Sequence, residues 1–228
     1  MANTLMVTPI VVRGGELTGG PSSPFTASFA GKGAQSSVFV HALVETEASE
    51  PELLCQRILA TLQSSFIRQE RASLTAALSR AIQASHRDLQ EANEQQQLTN
   101  RVGAGLTCLA LNGTDITVAQ AGPGVVYLRD AHGVRTIEPP KISPTDEAGP
   151  GEGNLPLGIA AGEIPVLLDR HALEAQEVLL AANSALSSSV SYDGLVAILS
   201  CTPNEAADKL RMVTQDDPYF AALLVTRL

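Results

Sequence analysis

The chain has 228 residues, 44% of them hydrophobic, and a formal net charge of -9. This length is enough for one sizeable domain, which would bury on the order of 70% of the surface that the unfolded chain exposes. The 15 lysines and arginines are scattered and only 4% of residues are aromatic. This composition argues against a nucleic-acid partner, because such binding depends on clustered cations and on stacking surfaces.

The cysteines and the first residues of the chain indicate the cellular compartment. Cys55, Cys108 and Cys201 are odd in number and far apart, and none has C-x-x-C spacing. They predict buried, reduced thiols in a cytoplasmic protein. Met1 to Val7 carry no positively charged leader, and no apolar run approaches the roughly 20 residues of a membrane helix. We therefore expect no membrane contact.

The first part of the chain predicts three strands followed by two helices. Short apolar runs at Met6 to Val12, Phe25 to Ala30 and Val38 to Val44 are separated by glycine-rich turns, which is typical of strands. A proline then opens a helical pattern from Glu52 to about Arg68. A second pattern, from Ser73 through Gln97, has leucine, alanine and isoleucine at helical spacing.

The central stretch predicts an antiparallel meander of four strands. Val102 to Leu111 and Ile116 to Ala121 are apolar strands joined through an Asn-Gly turn. The corner Gly122 to Gly124 leads into a third strand that ends near Asp130. A fourth strand is predicted from Val134 to Glu138.

The last part of the chain begins with a predicted loop. Lys141 to Pro156 is rich in glycine, proline and acidic residues and is long for a connection inside a compact domain, so we predict a flexible surface insertion or lid. After it the sequence predicts two strands, two helices and a closing strand: Ile164 to Leu168, Glu177 to Ala182, Tyr192 to Ser200, Pro203 to Val213, and Phe220 to Arg227. This order predicts an α+β fold with a single domain over residues 1–228, an α-β-β-α sandwich of two antiparallel sheets flanked by helix pairs.

The stretch from Val102 to Asp130 resembles the central part of the metal-dependent serine/threonine protein phosphatases of the PP2C type. In that family a Gly-Thr-Thr strand leads to a strand that ends in Gly-Asp-Ser-Arg. The corresponding corner here reads Gly122-Pro123-Gly124-Val125, so the glycine is kept and the acid and the base are absent. The order of the predicted elements extends the resemblance over nearly the whole chain and implies the PP2C fold.

The resemblance also implies a site for paired Mg²⁺ or Mn²⁺ ions, which lower the pKa of a bridging water. Such ions need carboxylate oxygens. Leu43 and Val44 stand at the Asp-Gly positions of the first metal-binding strand, and neither side chain can coordinate a metal. Pro123 follows the retained glycine, where the family has an aspartate. These three residues are predicted to be vestigial positions of the site.

Two later positions of the site are matched more closely. Asn183 and Ser184 take the place of a family Asp-Gly pair, and an amide brings no charge to hold a dication. Asp217, with its neighbour Asp216, matches an Asp-Asn pair before the last strand. These two acids are weak metal-ligand candidates, because an aspartate before a proline is also a common turn residue.

These positions predict a PP2C-like pseudophosphatase, with no catalytic residues and no cofactor, that acts by binding a phosphoprotein or a regulatory protein partner. The alternative is an active Mg²⁺- or Mn²⁺-dependent phosphatase in which displaced carboxylates converge on one metal. Its candidate ligands are Glu45, Glu47, Asp146, Glu147, Asp216 and Asp217. A third possibility is a structural or self-associating role in which the filled site strengthens the core.

Other patterns give little support to different chemistry. The four histidines lack the spacing of zinc ligands, and His41, inside an apolar strand, is interpreted as a satisfied core histidine ahead of a functional one. Arg13 could be argued to match the arginine that binds substrate phosphate in the family, but two glycines and no acidic cluster follow it. The glycine-rich segments lack the Lys-Ser/Thr pair of nucleotide-binding loops.

Overall fold

The structure is a computed structural model that describes residues 4–18, 23–137 and 155–227. The strands in these ranges are β1 (Leu5–Arg13), β2 (Glu16–Leu17), β3 (Thr26–Ala30), β4 (Phe39–Thr46), β5 (Ala104–Asn112), β6 (Asp115–Ala121), β7 (Val125–Asp130), β8 (Gly133–Thr136), β9 (Leu167–Ala172), β10 (Val178–Ala182) and β11 (Tyr219–Arg227). The α-helices are α1 (Pro51–Arg68), α2 (Leu74–Glu94), α3 (Leu186–Ser189), α4 (Tyr192–Leu199) and α5 (Pro203–Val213).

The strands form two antiparallel sheets. One has six strands in the order β2-β1-β11-β10-β7-β8, and the other has five in the order β3-β4-β5-β6-β9. Helices α1 and α2 cover the five-stranded sheet, and α4 and α5 cover the six-stranded sheet. On β10, Leu180 packs toward α4 and α5 while the neighbouring Leu179 joins the other core, as expected for alternating strand residues. The predicted α-β-β-α sandwich is confirmed.

Most helices begin where the sequence predicts them, for identifiable reasons. Pro203 occupies the first turn of α5, and the Thr202 and Glu205 side chains form a capping box around it. The Ser73 hydroxyl caps α2 by accepting a hydrogen bond from the Ala76 N–H. Helix α2 ends at Glu94, three residues before the predicted end, because the chain then enters a short 3₁₀ turn.

The predicted meander is wrong at one point. β5 and β6 pair through the Asn-Gly turn as predicted, but β7 belongs to the six-stranded sheet. The corner at Gly122 to Gly124 therefore carries the chain from one sheet to the other. Gly122 has φ 73°, and a Cβ on Gly105 of the adjoining strand would lie 2.0 Å from the Pro123 carbonyl oxygen. The crossing is possible because both positions are glycine.

The segment that precedes β9 is bound to α2. His86 accepts a hydrogen bond from the Gly158 N–H at Nδ1, and its Nε2 lies 2.9 Å from the Gly162 carbonyl oxygen. Gln83 bonds to both backbone groups of Ile164, at 2.6 and 3.3 Å. The predicted strand Ile164 to Leu168 is therefore displaced, and β9 begins at Leu167. The predicted loop, residues 141–156, lies outside the described residues except for its last two.

Candidate functional site

A cleft of about 370 Å³ opens where β4, β10 and the start of β11 reach the same edge of the two sheets. Its wall combines acidic, amide, hydroxyl and small apolar groups. The lining residues are Glu45, Thr46, Glu47, Gly103, Ala104, Pro123, Pro156, Ile159, Asn183, Ser184, Ala185, Asp217, Pro218 and Tyr219. The cleft thus gathers residues that are far apart in the sequence.

Glu45, near the end of β4, is the most buried acid of the cleft. It is 8% exposed, and its Oε2 accepts a hydrogen bond from the Ser184 N–H at 2.5 Å. Burial raises the pKa of this carboxyl, and the hydrogen bonds from Ser184 oppose the rise. The carboxyl therefore joins the end of β4 to the residues that follow β10.

Tyr219 forms the rear of the cleft and ties the two sheets together. Its hydroxyl accepts a hydrogen bond from the Thr46 N–H at 2.6 Å and donates to the Thr46 carbonyl oxygen at 2.9 Å. Its ring stacks on Phe25 with centroids 4.2 Å apart and an interplanar angle of 7°. Burial raises the pKa of the Tyr219 phenol, so the hydroxyl keeps the proton that this arrangement requires.

Asn183 and Asp217 each bring an unpartnered oxygen to the cleft. Within the described ranges, Asn183 Oδ1 and Asp217 Oδ2 are shielded from solvent and have no hydrogen-bond partner. Burial, followed by the charge of Asp216, raises the pKa of Asp217. An unsatisfied buried acceptor costs about 1–3 kcal/mol. Each of these two oxygens would therefore be stabilised by a hydrogen-bond donor.

The predicted site residues fall into two groups. Pro123, Asn183, Ser184 and Asp217 line the cleft together. Leu43 and Val44 are buried in the hydrophobic core, and Asp216 is exposed to solvent. β4 contributes Glu45 to the cleft wall. Glu45 follows Leu43 by two residues, so both side chains project from the same face of the strand.

Arg13 and His41 lie outside the cleft lining. The Arg13 side chain forms an ion pair with Glu52 in an adjoining depression of about 710 Å³. His41 Nδ1 and the Ser28 hydroxyl are 2.7 Å apart and hydrogen-bonded, and burial lowers the pKa of this imidazole. Each side chain thus has a partner of its own.

None of the three thiols is among the lining residues of the cleft. All three cysteines are free, and Cys55 and Cys108 are buried. Burial raises the pKa of both thiols to about 12. Cys201 is half-buried and donates to the Ala197 carbonyl oxygen at 3.1 Å.

The donor set of the cleft does not fit a pair of divalent metal ions. Across residues 4–18, 23–137 and 155–227, no three His, Cys, Asp or Glu side chains group so that they could hold a metal. Glu45 Oε2 already accepts from Ser184, and Asn183 contributes a neutral amide, which adds no negative charge to hold a pair of dications. Of the alternative ligand set, residues 146 and 147 lie outside the described ranges.

Replacing Glu45 with glutamine is expected to stabilise the chain at neutral pH, by on the order of 1 kcal/mol. The folded state raises the pKa of Glu45 above its usual value of 4.5, so between the unfolded and the folded pKa the folded carboxyl holds a proton that the unfolded one has lost. Stability from this group therefore falls as pH rises through the folded pKa. Glutamine keeps an oxygen for the Ser184 N–H and carries no buried charge.

Urea unfolding of both proteins at pH 8 and at pH 4.5 measures this effect. The advantage of the Glu45→Gln variant should be larger at pH 8 than at pH 4.5. Glu94→Gln, at an exposed carboxylate, is the matched control and should change stability little at either pH. An advantage that is equal at both values would contradict the buried charge.

Comparison with known proteins gives structural matches only. No protein-family model matches the chain, and no curated protein matches it in sequence. The serine/threonine phosphatase of S. agalactiae superposes with a TM-score of 0.74 at 14% identity, covering 98% of this chain and 99% of that one. A serine/threonine phosphatase from Staphylococcus aureus gives 0.70 at 13% identity, covering 99% and 96%.

A third match was solved with metal. The catalytic domain of the serine/threonine protein phosphatase PstP, in complex with two manganese ions, has a TM-score of 0.67 at 15% identity and covers 99% of each chain. In the described part of the present chain, no helix is long and apolar enough to cross a membrane. From its sheets, its helix layers and these superpositions, the chain has the fold of the PP2C-type serine/threonine protein phosphatases.

Proposed function

We propose that this chain is a PP2C-fold pseudophosphatase: it does not hydrolyse phosphoesters, and it acts in the cytoplasm by binding a regulatory protein, phosphorylated or not. Metal-dependent hydrolysis of a phosphate monoester requires ions that generate the nucleophile and neutralise charge at the transition state. Binding requires only a preformed cleft of complementary shape and charge. The side chains in the cleft are better suited to the second role.

The observation that carries the proposal is the composition of the cleft. Asn183 is an amide at the position of a family aspartate, and Leu43 and Val44 belong to the core. Glu45 is held by Ser184. A bridged metal pair needs several charged oxygens at once, and these residues do not supply them. The three free cysteines support a reducing compartment.

The test measures hydrolysis by the purified chain. We expect no turnover of p-nitrophenyl phosphate or of a phosphothreonine peptide above the buffer rate, with or without Mn²⁺ or Mg²⁺. Typical enzymes turn over about 1–1,000 times per second, so the distinction is easy to measure. Metal addition should also leave the melting temperature unchanged, because a metal at 100 times its dissociation constant would stabilise the fold by about 2.7 kcal/mol.

A matched variant separates genuine activity from contamination. Asp217→Asn removes an acid from the cleft wall and leaves the rest of the surface unchanged. Hydrolysis from a contaminating phosphatase would be equal in the two preparations. Hydrolysis at enzymatic rates that disappears in Asp217→Asn would refute the proposal and establish the alternative, an active metal-dependent phosphatase.

A further inference from the structure

The cleft presents hydrogen-bond acceptors and negative charge to whatever enters it. Glu45, Glu47 and Asp217 contribute carboxyl groups, and its lining contains no lysine, arginine or histidine from the described ranges. Three of the donors at the cleft are already engaged. The Ser184 N–H donates to the Glu45 carboxyl, and the Thr46 N–H donates to the Tyr219 hydroxyl. The Tyr219 hydroxyl in turn donates to the Thr46 carbonyl oxygen.

A second observation, independent of the acids, points to a missing donor. Asn183 is 6% exposed, and its Oδ1 has no partner in the described part of the chain and is shielded from water. Asp217 Oδ2 is in the same state, although it comes from a different segment of the chain. An N–H group from a ligand would satisfy each of these two acceptors and offset the cost of leaving it unpaired.

We infer that the cleft binds the ammonium or guanidinium group of a lysine or arginine side chain of a partner protein. This inference rests on the proposed binding function and specifies its ligand chemistry. Lysine offers three N–H donors and arginine five, and neither accepts a hydrogen bond. The chain as a whole carries a net charge of -9, which favours association with a basic partner segment.

Other ligand classes fit less well. A phosphate group would bring acceptors and negative charge to a wall that already contains three carboxyl groups and no basic side chain. The donor set does not suit a pair of dications, as described above. A basic side chain matches the charge of the lining. The cleft, at about 370 Å³, lies within the range of ligand pockets, roughly 300–1,000 Å³, so it has room for such a side chain.

The experiment titrates the whole chain with peptides and follows backbone amide signals by NMR. The probes are acetyl-Gly-Arg-Gly-amide, its lysine counterpart and the same peptide with citrulline, a neutral analogue of arginine. We expect saturable shifts at Thr46 and Ser184 with the two basic peptides, and none with citrulline or inorganic phosphate. Glu45→Gln should weaken binding about tenfold, the effect of one charge-assisted hydrogen bond, and Glu94→Gln should not.

Several outcomes would overturn the inference. They are citrulline binding as tight as arginine binding, shifts confined to residues outside the cleft, equal affinity in the Glu45→Gln variant, and tighter binding of phosphate than of the basic peptides. Because the hydrolysis assay measures turnover and this titration measures binding, the two failures are distinct. A chain without hydrolysis and without peptide binding refutes only the ligand assignment, whereas genuine hydrolysis refutes the function on which it rests.

Discussion

Replacing Gly105 with alanine is expected to prevent folding or to lower the free energy of unfolding by about 3 kcal/mol or more. A Cβ at this position would lie 2.0 Å from the Pro123 carbonyl oxygen and 2.8 Å from its carbonyl carbon. Both atoms belong to the backbone where the chain crosses between the sheets. The clash therefore cannot be relieved by a change of rotamer, and the crossing itself must move.

Urea denaturation followed by circular dichroism measures the loss. Gly113→Ala is the matched control, because Gly113 has φ 65° but nothing lies within 4 Å of the place where a Cβ would stand. It should cost only the left-handed backbone penalty of about 1–2 kcal/mol. If Gly105→Ala is no more destabilising than Gly113→Ala, the result would contradict the close contact between β5 and the Pro123 carbonyl group.

Acidification is expected to destabilise the chain through His86. This imidazole is fully buried, and its Nδ1 must be unprotonated to accept from the Gly158 N–H, so Nε2 donates to the Gly162 carbonyl oxygen. Burial lowers the pKa of His86 below its usual 6.5; the hydrogen bond to Gly162 opposes this shift, and the charge of Arg87 adds to it. The unfolded state then binds the proton more readily, so stability is complete above about pH 6.5 and is lost as pH falls toward the folded pKa.

The variant His86→Gln tests this assignment. It removes the titrating group and should cost about 1–3 kcal/mol at pH 8 for each glycine backbone group left unpaired. The acid-dependent loss between pH 7 and pH 5 should be smaller in the variant than in the original chain. His132→Gln, at an exposed imidazole, should change stability by less than about 0.5 kcal/mol. An unchanged acid response in His86→Gln would contradict the prediction.

Local signals were sufficient to predict most of the elements. The Asn112-Gly113 turn predicts the β5–β6 hairpin, which forms, because these residues accept the backbone angles of a tight turn. The proline that opens the first helical pattern predicts α1, which begins at Pro51 and ends at Arg68, because a proline is favoured in the first turn of a helix. Both signals act within a few residues of the chain, so they are readable before any tertiary contact is known.

The sheet crossing could not be predicted in the same way. An apolar strand after Gly124 has the same pattern whether it pairs with β6 or moves to the other sheet, because both faces of each sheet are covered. The displaced start of β9 has a similar cause. The Ile164 backbone groups bond to Gln83, and nothing in the local sequence indicates this long-range contact.

The site was predictable in part. Pro123, Asn183 and Asp217, singled out by resemblance, line one cleft, and their roles stay predictions. Glu45 was named only within the alternative ligand set. Since Leu43 and Glu45 project from the same face of β4, alternation cannot decide which of them reaches the cleft. The available signal was that Glu45 is the first charged residue after the apolar run that forms most of β4.

The double hydrogen bond of Tyr219 to Thr46 has a kinetic consequence. The Tyr219 hydroxyl bonds both backbone groups of Thr46, and the Tyr219 ring stacks on Phe25. These contacts hold the rear of the cleft in place without a ligand. Under the proposed binding function, a partner would not need a slow rearrangement of these residues. Encounter, at the roughly 10⁵–10⁷ M⁻¹s⁻¹ usual for preformed surfaces, would then set the speed of complex formation, and differences in lifetime would separate good partners from poor ones.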